Sequence, residues 1–242
     1  MSAPRTDTRR AIVDGAARLL REGGPTAMTT RGVAELAGVQ APTIYRLFGD
    51  KDGLLEAVAE HVMASFVADK TAEMAASSAA DVDPVDDLRA SWRRQVDFSL
   101  ANPAVFRLLS DPDRVVGSPA ARAGREVLAS RVHRLAVAGL LLVPESRAVD
   151  LIHAAGVGVI QALLATPADQ RDPGLGEAMI DAVLGAILVD APEQREEPNG
   201  SLTAAVSLRA VAPDLDVLSP SERQLLVEWL DRVAHGVTRP VS

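Results

Sequence analysis

Residues 29–51 read TTRGVAELAGVQAPTIYRLFGDK, and the first half of this stretch predicts a short helix that ends in a tight turn. Val33, Leu36 and Ala37 recur at the spacing of one helix face, so we expect them to point inward. Gly38 follows at once, and glycine is the residue that most readily adopts the left-handed conformation found at helix ends.

The second half of the stretch predicts another short helix, because Pro42 suits a first helical turn. The apolar residues that recur at i, i+3 and i+4 form its expected inward face: Ile44, Leu47 and Phe48. The outward residues are small at the N-terminal end and carry hydrogen-bonding groups: Gln40, Ala41, Thr43, Tyr45 and Arg46. Such a face suits the DNA major groove, since bulky side chains there would hold the backbone away from the base edges.

A two-helix hairpin with a glycine turn also occurs in many all-α proteins, so the hairpin alone does not establish DNA binding. The flanking residues favour it. Thr29 or Thr30 is expected at the N-cap of the first helix, whose free N–H groups can meet a phosphate. Lys51 is expected near the start of a third helix, with Asp50 as its cap.

The pattern T-T-R-x-x-A-x-x-x-G-V-x-x-P-T-I-Y-R-x-F-x-x-K-x-x-L-L resembles the DNA-binding domain of the TetR family of bacterial transcriptional regulators, over about residues 6–60. Two positions depart from that family. Gly32 stands where many relatives carry an acid, so a capping box is missing. Ala41 offers only a methyl group, which limits its base contacts to apolar ones.

We therefore expect the following residues to contact double-stranded DNA: Thr29, Thr30, Arg31, Gln40, Ala41, Pro42, Thr43, Tyr45, Arg46 and Lys51. Phosphate contacts are assigned to Thr30, Arg31, Tyr45 and Lys51, and base contacts to the residues around Pro42. Arg5, Arg9 and Arg10 are expected either to reach the DNA backbone or minor groove, or to form a solvated helix end.

The charge of the chain is unevenly distributed. Its net charge is −8, yet residues 1–51 hold eight basic and five acidic side chains. A basic head on an acidic body is expected if only one end meets phosphate. The other explanation is a small excess on an ordinary surface.

Several function classes receive no support from the sequence. With no cysteine, disulfides and thiolate metal sites are excluded, and the four histidines form no close pair. We find no nucleophile–base constellation and no phosphate-binding loop that follows a strand, so we expect neither an enzyme nor a cofactor or metal site. The N-terminus lacks the apolar run of a signal peptide. The longest apolar stretch, residues 154–165, is too short to span a membrane, so we expect a cytoplasmic protein.

Helical periodicity or apolar runs continue to the end of the chain, which predicts an all-α fold with an N-terminal three-helix DNA-binding domain and a helical effector-binding and dimerisation domain. The expected domains are residues 1–50, 51–190 and 191–242, the last being an acidic linker and a C-terminal helical extension. Besides the two short helices within residues 29–51, the predicted helices are residues 6–22, 50–76, 83–102, 103–111, 120–142, 145–166, 175–189, 202–211 and 220–237.

The helices predicted at 145–166 and 175–189 are apolar on most faces, and such helices must be buried on most faces. Both can hardly be interior in a helical monomer of this size. We therefore predict a homodimer in which the pair meets its symmetry mate as a four-helix bundle, as the family resemblance also implies. One unusually large core is the alternative.

A ligand cavity is expected within the middle helices. Its predicted lining combines apolar side chains with a few polar ones: Trp92, Phe98, Phe106, Leu109, His133, His153 and Gln161. Each of these residues is also compatible with an ordinary core or surface position. The small number of aromatic residues favours a hydrophobic effector over a stacked aromatic cation.

The sequence thus favours a ligand-responsive regulator, most readily a repressor, that binds a pseudo-palindromic operator as a homodimer and is released by a small effector. An activator fits the same sequence. One alternative is an effector-independent DNA-binding or architectural protein that acts through a protein partner. The other is a helical enzyme with a coincidental helix-turn-helix.

Overall fold

The computed structural model describes residues 3–111, 117–189 and 199–236, and most of these residues are helical. The helices are α1 (Ala3–Ala27), α2 (Thr30–Ala37), α3 (Ala41–Phe48), α4 (Lys51–Ala79), α5 (Pro84–Ala101), α6 (Pro103–Leu109), α7 (Pro119–Val137), α8 (Glu145–Ala165), α9 (Leu175–Ile187), α10 (Asn199–Val211) and α11 (Pro220–Gly236). Short 3₁₀ turns follow α8 and α10. The predicted all-α fold is confirmed.

The chain packs as two compact units. The first unit comprises Met1–Ala72 and Phe98–Gly124, and the second comprises Glu73–Asp97 and Arg125–Ser242. This division reflects packing alone, so the functional boundaries at residues 1–50, 51–190 and 191–242 stay a prediction.

The core of the first unit is aliphatic. Ile12 of α1, Val33 of α2, Ile44 of α3 and Val58 of α4 are all buried in one cluster, which Val105 of α6 joins. Burying such side chains stabilises a fold by roughly 1.5–3 kcal/mol each. The cluster therefore holds the three N-terminal helices against α4.

The second unit contains a buried ion pair as well as apolar residues. The carboxylate of Asp87 on α5 accepts hydrogen bonds from Arg131 at 3.1 Å and from Arg134 at 3.0 Å, both on α7. The side chains of Arg131 and Asp87 are only 1% and 2% exposed. Burial lowers the pKa of Arg131, and the charge of Asp87 opposes that shift.

Helix α7 ends earlier than predicted. It stops at Val137 rather than continuing to residue 142, because Gly139 adopts a left-handed φ of 70°. Its N–H and that of Leu140 return to carbonyls of the last turn, as in a Schellman motif. The next residues pair instead with the end of α9 in an antiparallel bridge, Leu141 to Leu188.

Two predictions about the N-terminal helices are also wrong. Gly23, Gly24 and Pro25 do not end α1, which continues to Ala27; local propensity is a weak preference, and Met28 just beyond is buried in the core. Leu36 is 48% exposed. The buried stripe of α2 is centred between Val33, Ala34 and Ala37, and Leu36 lies about 100° from that centre.

The C-terminal extension is helical, as predicted. Helices α10 and α11 pack against each other, with Leu202, Val206 and Ala234 buried. Arg209 donates to Asp231 at 2.8 Å and to Glu145 at the start of α8 at 3.4 Å. The extension is therefore part of the second unit. Most of the predicted acidic linker lies outside the described residues.

Helix α8 corrects one further expectation. Its 21 residues, Glu145–Ala165, are long and apolar enough to cross a membrane by length and composition alone, so the prediction that no such stretch exists is wrong. Core helices of water-soluble proteins pass the same test. Only 33% of its most apolar window is buried within the chain.

Candidate nucleic-acid interface

Helix α2 and its turn are built by local capping. The hydroxyl of Thr29 accepts a hydrogen bond from the Gly32 N–H at 3.1 Å, so Thr29 rather than Thr30 is the N-cap. At the other end Gly38 has a φ of 64°, and the Val39 N–H donates to the Ala34 carbonyl at 3.0 Å. These bonds fix the turn that leads into α3.

Helix α3 presents a polar face above a buried one. Ile44 is 2% exposed, and Leu47 and Phe48 pack against the core of the first unit, as predicted. Gln40 is the N-cap residue, but its side chain makes no capping bond and is exposed. Its amide is therefore available to an external partner.

The outward residues of α3 are accessible. Tyr45 is 52% exposed, and Pro42 and Arg46 are also exposed. Ala41 and Thr43 are half-buried. The small residues thus lie at the N-terminal end of the helix and the larger polar ones beyond them, which is the arrangement that a helix entering the major groove requires.

The start of α4 brings a cation beside this face. Asp50 caps the helix, with its carboxylate accepting a hydrogen bond from the Gly53 N–H at 2.8 Å. Lys51 is exposed in the first turn. Gly53 permits the close junction, because an added Cβ would stand 2.2 Å from the carbonyl oxygen of Phe48. No sequence signal beyond the glycine itself pointed to this contact.

Other basic residues near this face lie on α1 and α2. Arg31 is exposed and pairs with Glu35 at 3.1 Å, an interaction that solvent weakens. The Arg9 guanidinium lies 4.9 Å from the centre of the Phe48 ring, which places this part of α1 beside the end of α3. Arg10 is exposed, whereas the side chain of Arg5 lies outside the described residues.

The residues predicted to line a ligand cavity are divided between the two units. Phe98, Phe106 and Leu109 belong to the first, where Phe98 stacks on Phe66 at 3.9 Å between ring centres and Leu109 packs on the core. Neither unit by itself gathers the seven residues around one cavity. Their role as a ligand site stays a prediction.

In the second unit the predicted residues have other neighbours. Trp92 is 5% exposed and donates its indole N–H to the Gly176 carbonyl at 2.9 Å. His133 lies 3.2 Å from Glu145. His153 and Gln161 are exposed on α8. Although His153 is exposed, part of its ring is shielded from water. This desolvation and, after it, the Arg125 guanidinium lower the pKa of His153, which favours the neutral imidazole.

Comparison with known proteins agrees with the geometry of the head. Residues 12–58 match the family model described as bacterial regulatory proteins, tetR family. The HTH-type transcriptional regulator BetI of Burkholderia mallei (strain NCTC 10229) is 38% identical over 73 residues. That match covers 30% of this chain and 37% of BetI, so it spans well under half of the relative.

Solved structures share the fold at low sequence identity. RolR, solved in complex with resorcinol, has a TM-score of 0.57 at 22% identity, with 81% of this chain and 95% of RolR covered. SmeT, the repressor of the Stenotrophomonas maltophilia multidrug efflux pump SmeDEF, has a TM-score of 0.51 at 23% identity, with 79% and 98% covered. Residues 12–58 therefore match the helix-turn-helix head of the tetR family, and the helical fold of the chain resembles these two solved structures.

Proposed function

We propose that the protein is a transcriptional regulator that binds a pseudo-palindromic operator as a homodimer in the cytoplasm. The observation that carries the proposal is helix α3, whose Ile44 is buried while Gln40, Tyr45 and Arg46 are exposed. A helix held by its apolar face with hydrogen-bonding groups on the other is suited to reading base edges.

The proposed contacts have two kinds of role. Thr30, Arg31, Tyr45 and Lys51 hold phosphates, which supplies affinity that depends on salt. The N-terminal end of α3 faces the bases and supplies sequence preference. The proposed contact set is Thr29, Thr30, Arg31, Gln40, Ala41, Pro42, Thr43, Tyr45, Arg46 and Lys51.

Helices α8 and α9 pack against each other, and each keeps an exposed face. These exposed faces support dimerisation. The first turns of α8 expose Ser146, Arg147 and Asp150. From residue 153 onward, the exposed residues of both helices are mostly small: His153, Ala154, Gly158, Gln161, Ala162 and Ala165 on α8, and Ala178, Asp181, Ala182, Gly185 and Ala186 on α9. Small side chains allow two helices to approach closely. We propose that this pair meets its symmetry mate as a four-helix bundle, which would set the spacing of the two recognition helices.

We propose that the regulator is a repressor, and that a small, hydrophobic effector releases it from the operator. RolR, which shares the fold, binds resorcinol, so the fold accommodates a small ligand. An effector can release the operator only if it binds more tightly to a conformation in which the two heads no longer fit adjacent grooves.

The test is a gel shift with the full chain on DNA upstream of its own gene, in about 150 mM salt, since affinity depends on salt. We expect a specific shift with dimer stoichiometry that survives competitor DNA. The double variant Thr43→Ala/Tyr45→Ala should bind at least about tenfold more weakly, because base and phosphate contacts are lost. Thr71→Ala, which changes an exposed threonine further along α4, is the matched control.

Two outcomes would contradict parts of this proposal. Operator affinity of the double variant within about twofold of the parent would remove Thr43 and Tyr45 from the interface. If the protein selected no specific sequence from random DNA, the proposal that it is a transcriptional regulator would be overturned. Specific binding that no small molecule releases would instead favour the effector-independent alternative.

A further inference from the structure

A half-open surface cavity of about 460 Å³ lies on the first unit, between α1, α4 and the end of α5. Its volume is within the range of small-molecule sites. Ala17, Val62, Phe66 and Phe98 supply its apolar lining. Of the residues predicted to bind an effector, Phe98 alone contributes to it, so this is a separate candidate site.

The walls of this cavity are already held in place. Asp14 on α1 lies 3.0 Å from the His61 imidazole on α4, which joins the two helices. The Phe66 and Phe98 rings stack with their planes 9° apart. A ligand would therefore lose little free energy to ordering the site.

Two opposite charges line the same cavity without pairing. Arg21 lies on the cavity face of α1, seven residues after Asp14, and Asp69 lies on the cavity face of α4, eight residues after His61. Both side chains are exposed, and neither makes an ion pair with any residue that the structure describes. Among the described residues, the cavity thus presents a cation and an anion without ion-pair partners next to an apolar surface.

We propose that this cavity binds a small zwitterion with a short apolar body, such as an ω-amino acid. The carboxylate of the ligand would pair with Arg21, whose guanidinium offers two parallel donors. The ammonium group of the ligand would pair with Asp69. The methylene chain would pack on Val62 and Phe66. A molecule with only one charge would leave one of the two groups unused.

The site has a consequence for regulation, which rests on the proposed function. Helices α1 and α4 both pack against the helix-turn-helix core. A ligand held between them prefers one separation of the two helices, and any difference in that separation between free and DNA-bound heads couples the ligand to operator affinity.

Calorimetric titration of the full chain tests the binding. The probes are 4-aminobutanoate and 6-aminohexanoate, with hexylamine and hexanoate as comparators that carry one charge each. We expect the better zwitterion to bind at least about tenfold more tightly than either comparator, since it makes one further charge-assisted contact.

The variants separate the two ends of the ligand. Arg21→Gln should weaken the zwitterion about tenfold without changing hexylamine, and Asp69→Asn should weaken it without changing hexanoate. Arg122→Gln and Asp169→Asn change exposed residues outside the cavity and should leave all titrations unchanged. Circular dichroism melts confirm that each variant is folded.

Equal affinity for all four probes, no binding at all, or zwitterion binding that survives both variants would overturn the proposed site. The regulatory step is tested separately by adding the zwitterion to the operator gel shift. If the zwitterion binds in the calorimeter but does not change the gel shift, the proposed coupling to DNA binding is wrong and the proposed site stands. If the chain binds the zwitterion but no specific DNA, only the proposed regulatory function is wrong.

Discussion

Helices α3 and α8 each keep one face exposed, but the chemistry of the two faces differs. Around α3 the exposed residues are polar donors and acceptors, such as Gln40, Tyr45 and Arg46. On α8 the exposed face carries Ala154 and Gly158. Hydrogen-bonding groups match base edges, whereas small residues match a second helix at close range. The size and polarity of an exposed face, rather than its exposure alone, therefore indicate the class of partner.

The interiors of the two units also differ, but in the opposite sense: the unit with the polar exposed helix has the more apolar core. The first unit rests on an aliphatic cluster, and the second combines apolar burial with the Arg131–Asp87–Arg134 group. A buried aliphatic contact can be weakened gradually, but a buried charge that loses its partner is left uncompensated.

The largest effect is expected from Asp87→Ala, which would leave two guanidinium groups without their shared carboxylate. We expect a loss of about 3–5 kcal/mol in the free energy of unfolding. Asp86→Ala, at the exposed neighbouring position, should stay within about 0.5 kcal/mol of the parent. Urea unfolding followed by circular dichroism measures both, and equal stability of the two variants would show that the ion group does not hold the second unit.

The next effect concerns the small-residue face. Gly158→Arg introduces a long cation at a position where an added Cβ meets no atom within 4 Å, so the chain itself should fold normally. In the proposed dimer that cation would be buried without a partner, and we expect dimer affinity to fall about 100-fold or more. Sedimentation velocity measures this, with Ala129→Arg at an exposed position of α7 as the control. An unchanged dimer would place the interface elsewhere.

A smaller effect is expected at the junction of α3 and α4. Gly53→Ala forces a Cβ against the Phe48 carbonyl, so we expect a loss of about 1–3 kcal/mol of stability and weaker operator binding. Gly124→Ala, whose Cβ would make an ordinary 3.4 Å contact with Val67, is the matched control. Thermal melts and gel shifts measure both variants. Parental behaviour of Gly53→Ala would mean that the two helices separate freely.

The smallest effect is a change in salt dependence. If Lys51 neutralises one phosphate, Lys51→Gln should reduce the slope of log affinity against log salt by about 0.9. Arg122→Gln removes an exposed cation outside the proposed interface and should leave the slope unchanged. Titrations at several salt concentrations measure both slopes, and identical slopes for Lys51→Gln and the parent would exclude that phosphate contact.

Local signals explain which features could be predicted. The turn at Gly38 and the cap at Asp50 depend on residues within one helical turn, so the sequence was sufficient for them. Gly139 is also a glycine at a helix end, but the apolar residues around it continue the helical pattern, so this stop signal was missed. Leu36 shows the limit of periodicity, because i, i+3 spacing does not by itself locate the centre of a buried stripe.

The predicted ligand set could not be derived in the same way. Trp92 meets Gly176, 84 residues away, and Phe98 meets Phe66 on another helix. Such pairings depend on tertiary packing that residue types alone do not encode. The cavity beside Asp14 and His61 was missed for the same reason, since its lining comes from three helices.

The placement of Trp92 and Trp229 gives the chain two optical reporters of different character. They are its only tryptophans, and both belong to the second unit. Trp92 is 5% exposed and Trp229 is 52% exposed, so a dissolved quencher should extinguish the second and spare the first. Indole emission therefore follows the second unit without an attached dye. If added DNA changed the fraction of tryptophan fluorescence that the quencher leaves, DNA binding at the head would have altered the second unit.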